Sequence, residues 1–161
     1  MMKLRFILLV FFIVSISIVG CKKNKLHPVP SIPFDLTIDI NLPSYNALMG
    51  VGSYAYVAGG SRGIIVYRRS IEEFIAFDRH SPDDPDALCI YPLYPDPENF
   101  LTLIDSCSNT KFSLYDGSPM SDSEFGLRQY QTSYNGSNLV RIYNWSDFPI
   151  FAIKKTWTRL K

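Results

Sequence analysis

Five side chains in this sequence have the chemistry to bind a soft metal ion or to carry out redox reactions: Cys21, Cys89, Cys107, His27 and His80. Thiolates and imidazoles hold iron–sulfur clusters and other soft metals, and two thiols can close a disulfide. The cysteine spacing is not Cys-x-x-Cys. The chain also contains no Gly-x-Ser-x-Gly, His-Glu-x-x-His or phosphate-cradling glycine loop. The sequence therefore predicts a protein that is not an enzyme, and its function depends on what these few donors do.

The first cysteine ends an N-terminal targeting pattern. Lys3 and Arg5 precede an apolar run that two serines interrupt and that stops at Gly20-Cys21. A secretory signal needs about 7–15 apolar residues, whereas a membrane span needs about 20. A small residue directly before a cysteine, preceded by aliphatic residues, resembles the lipobox of bacterial lipoproteins. The resemblance implies a signal peptide at 1–20 and lipidation of Cys21; the alternative is an uncleaved anchor with an incidental cysteine.

Lysines and prolines dominate the next segment, 21–33. Chains with closely spaced prolines extend at about 3.1 Å per residue, so this segment would lift a domain roughly 35 Å above the lipid. We expect a solvated tether, with His27 exposed to water.

Length and composition favour one all-β domain. The 161 residues include 16 Lys+Arg against 15 Asp+Glu, a balance that excludes a basic nucleic-acid binder and an acidic tail. Hydrophobic residues make up 47% and aromatic residues 14%, too many for a disordered chain. The 11 prolines and 9 glycines indicate many turns and favour β structure over a helical bundle.

A strict alternation of apolar and polar residues runs from 34 to 42 and predicts a half-buried strand. Further strands are predicted at 54–57, 63–68, 74–78, 100–104, 111–115, 127–133, 138–143 and 149–154. Asn135-Gly136 predicts a hairpin between two of them, because both residues tolerate positive φ.

Two other connections carry local signals. The glycine-rich stretch 59–63 predicts a loop between strands, since no helix follows it, and Ser70 is able to cap a short helical turn at 70–74. The elements together predict an all-β domain over 34–161, a small antiparallel β-sandwich or partly closed barrel.

The order of these elements resembles a Rieske domain, in particular the Rieske-type lipoproteins of the cell envelope. The resemblance covers 63–144, roughly half of the chain. The stretches that carry it are Gly63-Ile-Ile-Val-Tyr-Arg68, Phe74-Ile-Ala-Phe-Asp-Arg79, Ser81-Pro82-Asp83, Cys89, Asp105-Ser-Cys-Ser-Asn-Thr-Lys-Phe112, Leu114-Tyr-Asp-Gly-Ser-Pro119 and the hairpin 127–144. It implies a Rieske-like fold with two loops where that family binds a [2Fe–2S] cluster.

The cluster ligands of the family are missing at the matching positions. A Rieske cluster needs two Cys on one iron and two His on the other, which the family supplies as Cys-x-His and Cys-x-x-His. The matching positions are Ser81 and Asp83 in the first loop and Asp105 and Ser108 in the second. Once Cys21 is lipidated, the Cys and His that remain cannot complete the set, so we expect no cofactor.

The resemblance implies a different role for the other two cysteines. Many Rieske domains link their two cluster loops by a disulfide between cysteines that are not ligands, and Cys89 and Cys107 lie near those positions. Export places the chain where disulfides form. A structural disulfide between Cys89 and Cys107 is therefore expected, with a redox-active thiol pair and two free buried thiols as open alternatives.

Two further groups of side chains are candidates for binding. Asp83, Asp84, Asp86 and Asp105, near His80, would suit Ca²⁺ or Mg²⁺ if they converged. The run 83–86 has no calcium-loop spacing and Asp-Pro runs are ordinary in turns, so we expect a solvated turn.

The aromatic residues Tyr91, Tyr94 and Phe100 either form an exposed shelf for a partner or cover the edge of a sheet, and we expect the cover.

These observations favour a non-enzymatic lipoprotein of the bacterial cell envelope, on the periplasmic or the outer-membrane face. Its expected role is binding or structural support in an envelope assembly, with the membrane and an unidentified envelope protein as partners and no nucleic acid. The alternatives are a Rieske [2Fe–2S] electron-transfer protein and a divalent-metal or ligand-binding module.

Overall fold

The computed structural model describes residues 25–144, which form two antiparallel β-sheets with no α-helix among the described residues. The larger sheet has six strands in the order β1-β9-β8-β4-β3-β2, and the smaller has three in the order β5-β6-β7. The strands are β1 (Phe34–Asp39), β2 (Tyr54–Val57), β3 (Ile64–Arg68), β4 (Phe74–Asp78), β5 (Tyr94–Pro95), β6 (Thr102–Ile104), β7 (Lys111–Ser113), β8 (Gln129–Tyr134) and β9 (Leu139–Asn144). A short 3₁₀ helix, Asn46–Met49, precedes β2. The predicted all-β class is confirmed.

The strands β3 and β4 form the centre of the fold because they are buried on both faces. All five residues of each strand are buried. On β3, Ile64 and Val66 point into one apolar cluster and Ile65 and Tyr67 into another. The nearly continuous apolar runs of these strands are typical of a strand covered on both sides.

The larger sheet curls into a partly closed barrel. Six flat strands spaced about 4.8 Å apart would place the two edges roughly 24 Å from each other. The edge strands β1 and β2 nevertheless contribute Ile38 and Val57 to the same apolar cluster. At Gly59, two residues after β2, a Cβ would lie 3.5 Å from Leu36 of β1. The concave face of the sheet therefore closes around this first cluster.

The smaller sheet covers the outer face of β3 and β4. Phe77 of β4, Leu103 of β6 and Phe112 of β7 lie in the second cluster, and none of the three has measurable exposure. Their burial contributes roughly 1.5–3 kcal/mol per side chain relative to an exposed position. This packing places the loops that leave β4 and β6 side by side.

The strand predicted at 34–42 ends earlier than the alternation indicated. The Asp39 carboxylate accepts the backbone N–H of Asn41 at 2.9 Å, and the Leu42 N–H donates to the Asp39 carbonyl at 3.1 Å. This turn ends β1 at Asp39 and leaves Leu42 51% exposed. The local hydrogen bonds of Asp39 thus override the period-two pattern.

The predicted helical turn at 70–74 is wrong. The N–H groups of Arg69 and Ser70 both donate to the carbonyl of Glu73, which closes a reverse turn between β3 and β4.

The predicted hairpin is confirmed, since β8 pairs with β9 and the side chain of Asn135 accepts the N–H groups of the turn. The strand predicted at 149–154 lies outside the described residues.

The segment after Leu26 packs on the domain, so the prediction of a solvated tether up to 33 is wrong. Val29 is fully buried, and its carbonyl accepts the Nε–H of Arg128 at 2.8 Å. The His27 ring, which we expected in water, donates from Nε2 to the Gly126 carbonyl at 3.0 Å and lies edge-on to Phe125. Partners nearly one hundred residues away supply these contacts, and no local pattern indicates them.

A pH dependence follows from the environment of His27. Burial lowers the pKa of His27, and its Nδ1 accepts the N–H of Val29, so the fold favours the neutral ring. The unfolded state then binds more protons below about pH 6.5, and stability must fall as the pH is lowered through that range. We expect the melting temperature to fall more between about pH 7 and pH 5 in the wild type than in His27→Gln. Equal slopes would contradict this assignment, and Lys25→Gln serves as the control that keeps the wild-type slope.

Candidate functional site

The two loops at one end of the small sheet are joined covalently. The first loop, 79–93, connects β4 to β5, and the second loop, 105–110, connects β6 to β7. A disulfide links Cys89 in the first to Cys107 in the second, with Cα atoms 6.0 Å apart. Cys89 is only 5% exposed, whereas Cys107 is exposed. The expected pairing of these cysteines is present, and it joins a buried residue to an exposed one.

Two charged side chains hold the Cys89 part of the first loop in place. The Asp84 carboxylate accepts the N–H groups of Leu88 and Cys89 at 2.9 and 2.8 Å. The Arg62 guanidinium donates to the carbonyl oxygens of Cys89 and Ile90 and lies 3.9 Å from Asp84. Charge-assisted hydrogen bonds of this kind are about twice as strong as neutral ones. The loop is therefore fixed on both sides of its cysteine.

A buried carboxylate at the end of β4 supports the base of the first loop. Asp78 has no exposed surface and accepts the N–H groups of Ser61 (2.6 Å), Arg62 (3.1 Å) and His80 (2.8 Å). The hydroxyl of Tyr130 donates to it at 2.5 Å. Burial, followed by the hydrogen bond to Asp78, raises the pKa of Tyr130, which therefore remains a donor at neutral pH.

His80, near the start of the first loop, connects the Asp78 carboxylate to the rest of that loop. The ring is 2% exposed; its Nε2–H donates to the Asp84 carbonyl at 2.7 Å, and Nδ1 accepts the Ser61 hydroxyl at 2.8 Å. Both ring nitrogens are thus used inside the protein. His80 acts as a structural crosslink between the 59–63 loop and the first loop.

The close approach to Asp78 explains the glycine at position 60. Gly60 has φ +62°, and a Cβ there would overlap the Asp78 carboxylate and lie 2.7 Å from the Tyr130 hydroxyl. We expect Gly60→Ala to lower the free energy of unfolding by at least about 3 kcal/mol, because strain and a displaced carboxylate add. Gly136, at φ +79° with nothing within 4 Å, is the matched control; its change to alanine is expected to cost about 1 kcal/mol. Equal losses measured by urea unfolding would contradict the role of Gly60.

The structure brings three of the four expected cluster-ligand positions together. Ser81 and Asp105 are buried at 6% and 2% exposure; the Ser81 hydroxyl interacts with the Asp105 carboxylate, and the Ser108 N–H donates to it at 3.4 Å. Ser108 is itself exposed and donates its hydroxyl to Thr110 at 2.8 Å. Asp83 points elsewhere, since its carboxylate accepts the Ser123 hydroxyl at 2.7 Å. These positions are occupied with contacts inside the protein.

Asp105 is a charged carboxylate under the disulfide. Burial acts to raise the pKa of Asp105, but hydrogen bonds from Ser81, from the Cys107 N–H and from Ser108 outweigh it and hold the pKa below its ordinary value. Its Oδ1 accepts the Cys107 N–H at 2.9 Å. Its Oδ2 is buried and has no partner of standard hydrogen-bond geometry among the described residues.

Metal-binding capacity in the described residues is confined to this point. Cys89, Asp105 and Cys107 each place one ligand atom within 4.8 Å of the others. While the two sulfurs are bonded to each other they are not thiolates, so the set then offers one carboxylate. The acidic residues considered as a divalent-metal site do not converge: Asp84 caps the first loop, Asp83 binds Ser123, and Asp86 is exposed.

An apolar groove lies next to the disulfide. It has a volume of about 420 Å³ and is lined by Arg79, Tyr91, Pro92, Tyr94 and Ser106. The Ser106 hydroxyl lies 3.7 Å from the Cys89 sulfur, which places one wall of the groove at the crosslink.

Large apolar side chains are exposed around this groove. Leu88 and Ile90, on either side of Cys89, are each 81% exposed, and Tyr91 is 67% exposed. Phe100 lies elsewhere, beside Tyr54, and is 56% exposed, whereas Tyr94 in β5 is 36% exposed. The prediction that these aromatic residues cover a sheet edge is therefore wrong for Tyr91 and Phe100.

Several residues of this site carry no signal in the sequence. Asp78 belongs to an apolar strand, and Asp84 belongs to an Asp-Pro run that reads as a turn. For Asp84 the sequence offers one weak indication: it lies four residues before Leu88 and five before Cys89, whose N–H groups it binds. Nothing local indicates that Gly60 meets Asp78, since this contact depends on the pairing of β3 with β4.

Comparison with known proteins assigns no family. The chain matches no family model, and neither a curated protein nor a solved structure resembles it significantly. Within the described residues, no helix is long and apolar enough to cross a bilayer.

Proposed function

We propose that this chain is a non-enzymatic lipoprotein of the bacterial cell envelope whose two crosslinked loops bind a partner protein. Its scaffold is Rieske-like, and the place of the cluster is taken by polar side chains that bind one another. The observation that carries the proposal is the occupation of Ser81, Asp83, Asp105 and Ser108 by contacts inside the protein. Serine and carboxylate oxygens are poor ligands for an iron–sulfur cluster, so the loops are free for another role.

The exposed apolar side chains of the first loop support a binding role. Leu88, Ile90 and Tyr91 present large apolar surfaces to water on a loop that the disulfide, Asp84 and Arg62 hold in place. Rigid apolar and aromatic side chains lose little entropy on binding and dominate the energetics of protein interfaces. Without a partner, the exposure of these side chains only costs solubility.

The packing of the N-terminal segment limits the distance to the membrane. His27 is bound to the domain, which leaves the five residues 22–26 between it and Cys21. An extended chain spans at most about 3.5 Å per residue, so the six steps from lipidated Cys21 to His27 would hold the domain within roughly 21 Å of the lipid surface. A partner must therefore also lie at the membrane surface.

Lipid attachment is tested at Cys21. We expect Cys21→Ala to move the protein from the membrane fraction to the soluble fraction, because a thiol is needed to carry the lipid. Lys23→Ala is the matched control and should remain with the membranes. A Cys21→Ala protein that sediments with membranes as the wild type does would refute the anchor.

The binding surface is tested by crosslinking in cells. A photoreactive side chain at position 90 is expected to yield one discrete protein adduct, which Leu88→Ser weakens. The control is position 71, which is 73% exposed on the turn between β3 and β4 and should yield no such adduct. Identical adducts from both positions, or none from position 90, would refute a binding role for the first loop.

A further inference from the structure

We propose that the groove beside the disulfide binds an acidic segment of the partner protein, with one carboxylate of that segment on the guanidinium of Arg79. The apolar residues next to this carboxylate pack on the tyrosines of the groove. The inference rests on the proposed binding role of the two loops and specifies the chemistry of the partner, an extended stretch in which an Asp or Glu is flanked by apolar residues.

Arg79 is held in a fixed position at the groove. Its backbone N–H donates to the carbonyl of Gly63 and its carbonyl accepts the N–H of Leu93, both at 2.8 Å. Its Nε–H donates to the Leu93 carbonyl at 2.8 Å, and its guanidinium lies over the Tyr56 ring, 4.1 Å from the centroid. The planar group is thus supported on one face and at one edge. A ligand therefore does not have to order this side chain when it binds.

The terminal nitrogens of Arg79 are left without a partner. Nη1 and Nη2 donate no hydrogen bond among residues 25–144, and no carboxylate of that part of the chain lies within 4.0 Å of them. Burial lowers the pKa of Arg79, and no ion pair offsets it there. A guanidinium still stays charged at neutral pH. Arg79 is therefore a half-buried cation whose two terminal donor groups are available to a ligand.

Most of the other described arginines use their terminal nitrogens inside the protein. Those that bind a carbonyl or carboxylate oxygen in this way are Arg62, Arg68, Arg69 and Arg141. Arg128 likewise donates only from Nε, but it binds the Val29 carbonyl and does not line the groove. Arg79 is the one charged residue in the described lining of the groove.

The rest of the groove suits apolar side chains. Its volume is about 420 Å³, and its other described lining residues are Tyr91, Pro92, Tyr94 and Ser106. Tyr91 is 67% exposed and follows the exposed Ile90 in the chain. Grooves lined by aromatic residues and proline bind extended peptides, and fixed pockets for side chains give the specificity. A segment with a carboxylate between apolar residues would pair with the guanidinium and cover the tyrosines at the same time.

The charges of the two loops favour a single carboxylate over a phosphate or an anionic membrane. Asp84 lies 3.9 Å from Arg62, but Asp83 and Asp86 are exposed. Asp105 adds a further negative charge in the second loop. These carboxylates repel a polyanion or an anionic lipid surface. One carboxylate, in contrast, matches the two parallel N–H groups that a guanidinium presents at its free edge.

The test selects peptides from a random heptapeptide library displayed on phage, with the full-length protein in detergent as the target. Enriched sequences are expected to share an Asp or Glu next to an aromatic or aliphatic residue. Selection on Arg79→Gln is expected to lose the acidic residue. The matched control Arg141→Gln should retain it, since Arg141 lies on β9 and pairs with Asp35 of β1. Enriched sequences without an acidic residue, or no enrichment, would overturn the inference.

The selected peptide then measures the contact on the unaltered protein. Replacing its acidic residue with the matching amide is expected to weaken binding at least about tenfold, because a charge-assisted contact is lost. On Arg79→Gln the two peptides should bind equally weakly, and Arg79→Lys should recover part of the affinity because lysine lacks the parallel pair of donors. Equal affinities of the two peptides for the wild type would contradict the contact, even if Arg79→Gln failed to fold.

Inorganic phosphate and vesicles of phosphatidylglycerol serve as competitors at constant ionic strength. Neither is expected to displace the selected peptide. Displacement by either one would assign the groove to a phosphate ligand and overturn the inference.

The outcomes separate this inference from the proposed function. An adduct at position 90 that persists in Arg79→Gln, with no acidic sequence selected, would refute the acidic segment and leave the binding role intact. Selection of acidic peptides without any adduct at position 90 would refute the proposed partner in cells and leave the chemistry of the groove intact.

Discussion

Replacing Asp78 with Asn is expected to lower the free energy of unfolding by at least about 4 kcal/mol. The Asp78 carboxylate has no exposed surface and accepts three backbone N–H groups and the Tyr130 hydroxyl. An amide of the same shape offers one oxygen, and its NH₂ group faces donors. Each buried donor left unpaired costs about 1–3 kcal/mol. Urea unfolding followed by circular dichroism measures the loss.

The matched control for Asp78 is a carboxylate with a local role. Asp39 accepts the N–H of Asn41 in an exposed turn, and Asp39→Asn is expected to cost less than about 1 kcal/mol because asparagine forms the same turn. If both variants lose the same stability, Asp78 is not the support of the first loop. A large loss at Asp78 alone also predicts faster proteolysis of the first loop, since His80 and Arg62 lose their anchor.

Removing either cysteine of the disulfide is expected to lower the free energy of unfolding by about 3 kcal/mol. The bond closes a loop between residues 18 apart in the sequence, and on the chain-entropy model a crosslink of this size stabilises by roughly that amount. Cys89→Ser and Cys107→Ser should therefore lose similar stability, and the double variant should add little. The wild type under reducing conditions should match the double variant.

Additive losses in this cycle would contradict the crosslink. A reduced wild type that is as stable as the oxidised protein would show that the loops keep their positions without the bond. In that case Asp84 and Arg62 alone would hold Cys89.

Local patterns predicted those elements whose partners are near in sequence. The strands β2 and β4 coincide with the predicted ranges, and the β8–β9 hairpin follows from Asn135-Gly136. The error at Glu73, where a reverse turn replaces a helical turn, has a physical reason: β3 and β4 must pair antiparallel, and this pairing outweighs a weak capping signal at Ser70.

Contacts between distant parts of the chain account for what the sequence did not predict. Arg128 donates to the carbonyl of Val29, 99 residues away in the sequence. The segment around Val29, which was predicted to be a solvated tether, is therefore part of the domain. In the same way Gly60 and Tyr130 meet at Asp78 only after three strands have assembled. The Cys89–Cys107 disulfide was expected from a family resemblance. The position of the Asp105 carboxylate beside it could not be predicted from the sequence.

Whether the two loops hold an iron–sulfur cluster is decided by metal analysis together with a visible spectrum. The full chain should be produced in cells with ample iron and assembled clusters, and purified without exposure to air. We expect a colourless protein without stoichiometric iron or acid-labile sulfide. Two irons per chain with visible charge-transfer absorption would contradict it, because Ser81, Asp83, Asp105 and Ser108 would then stand outside a cluster held by other residues.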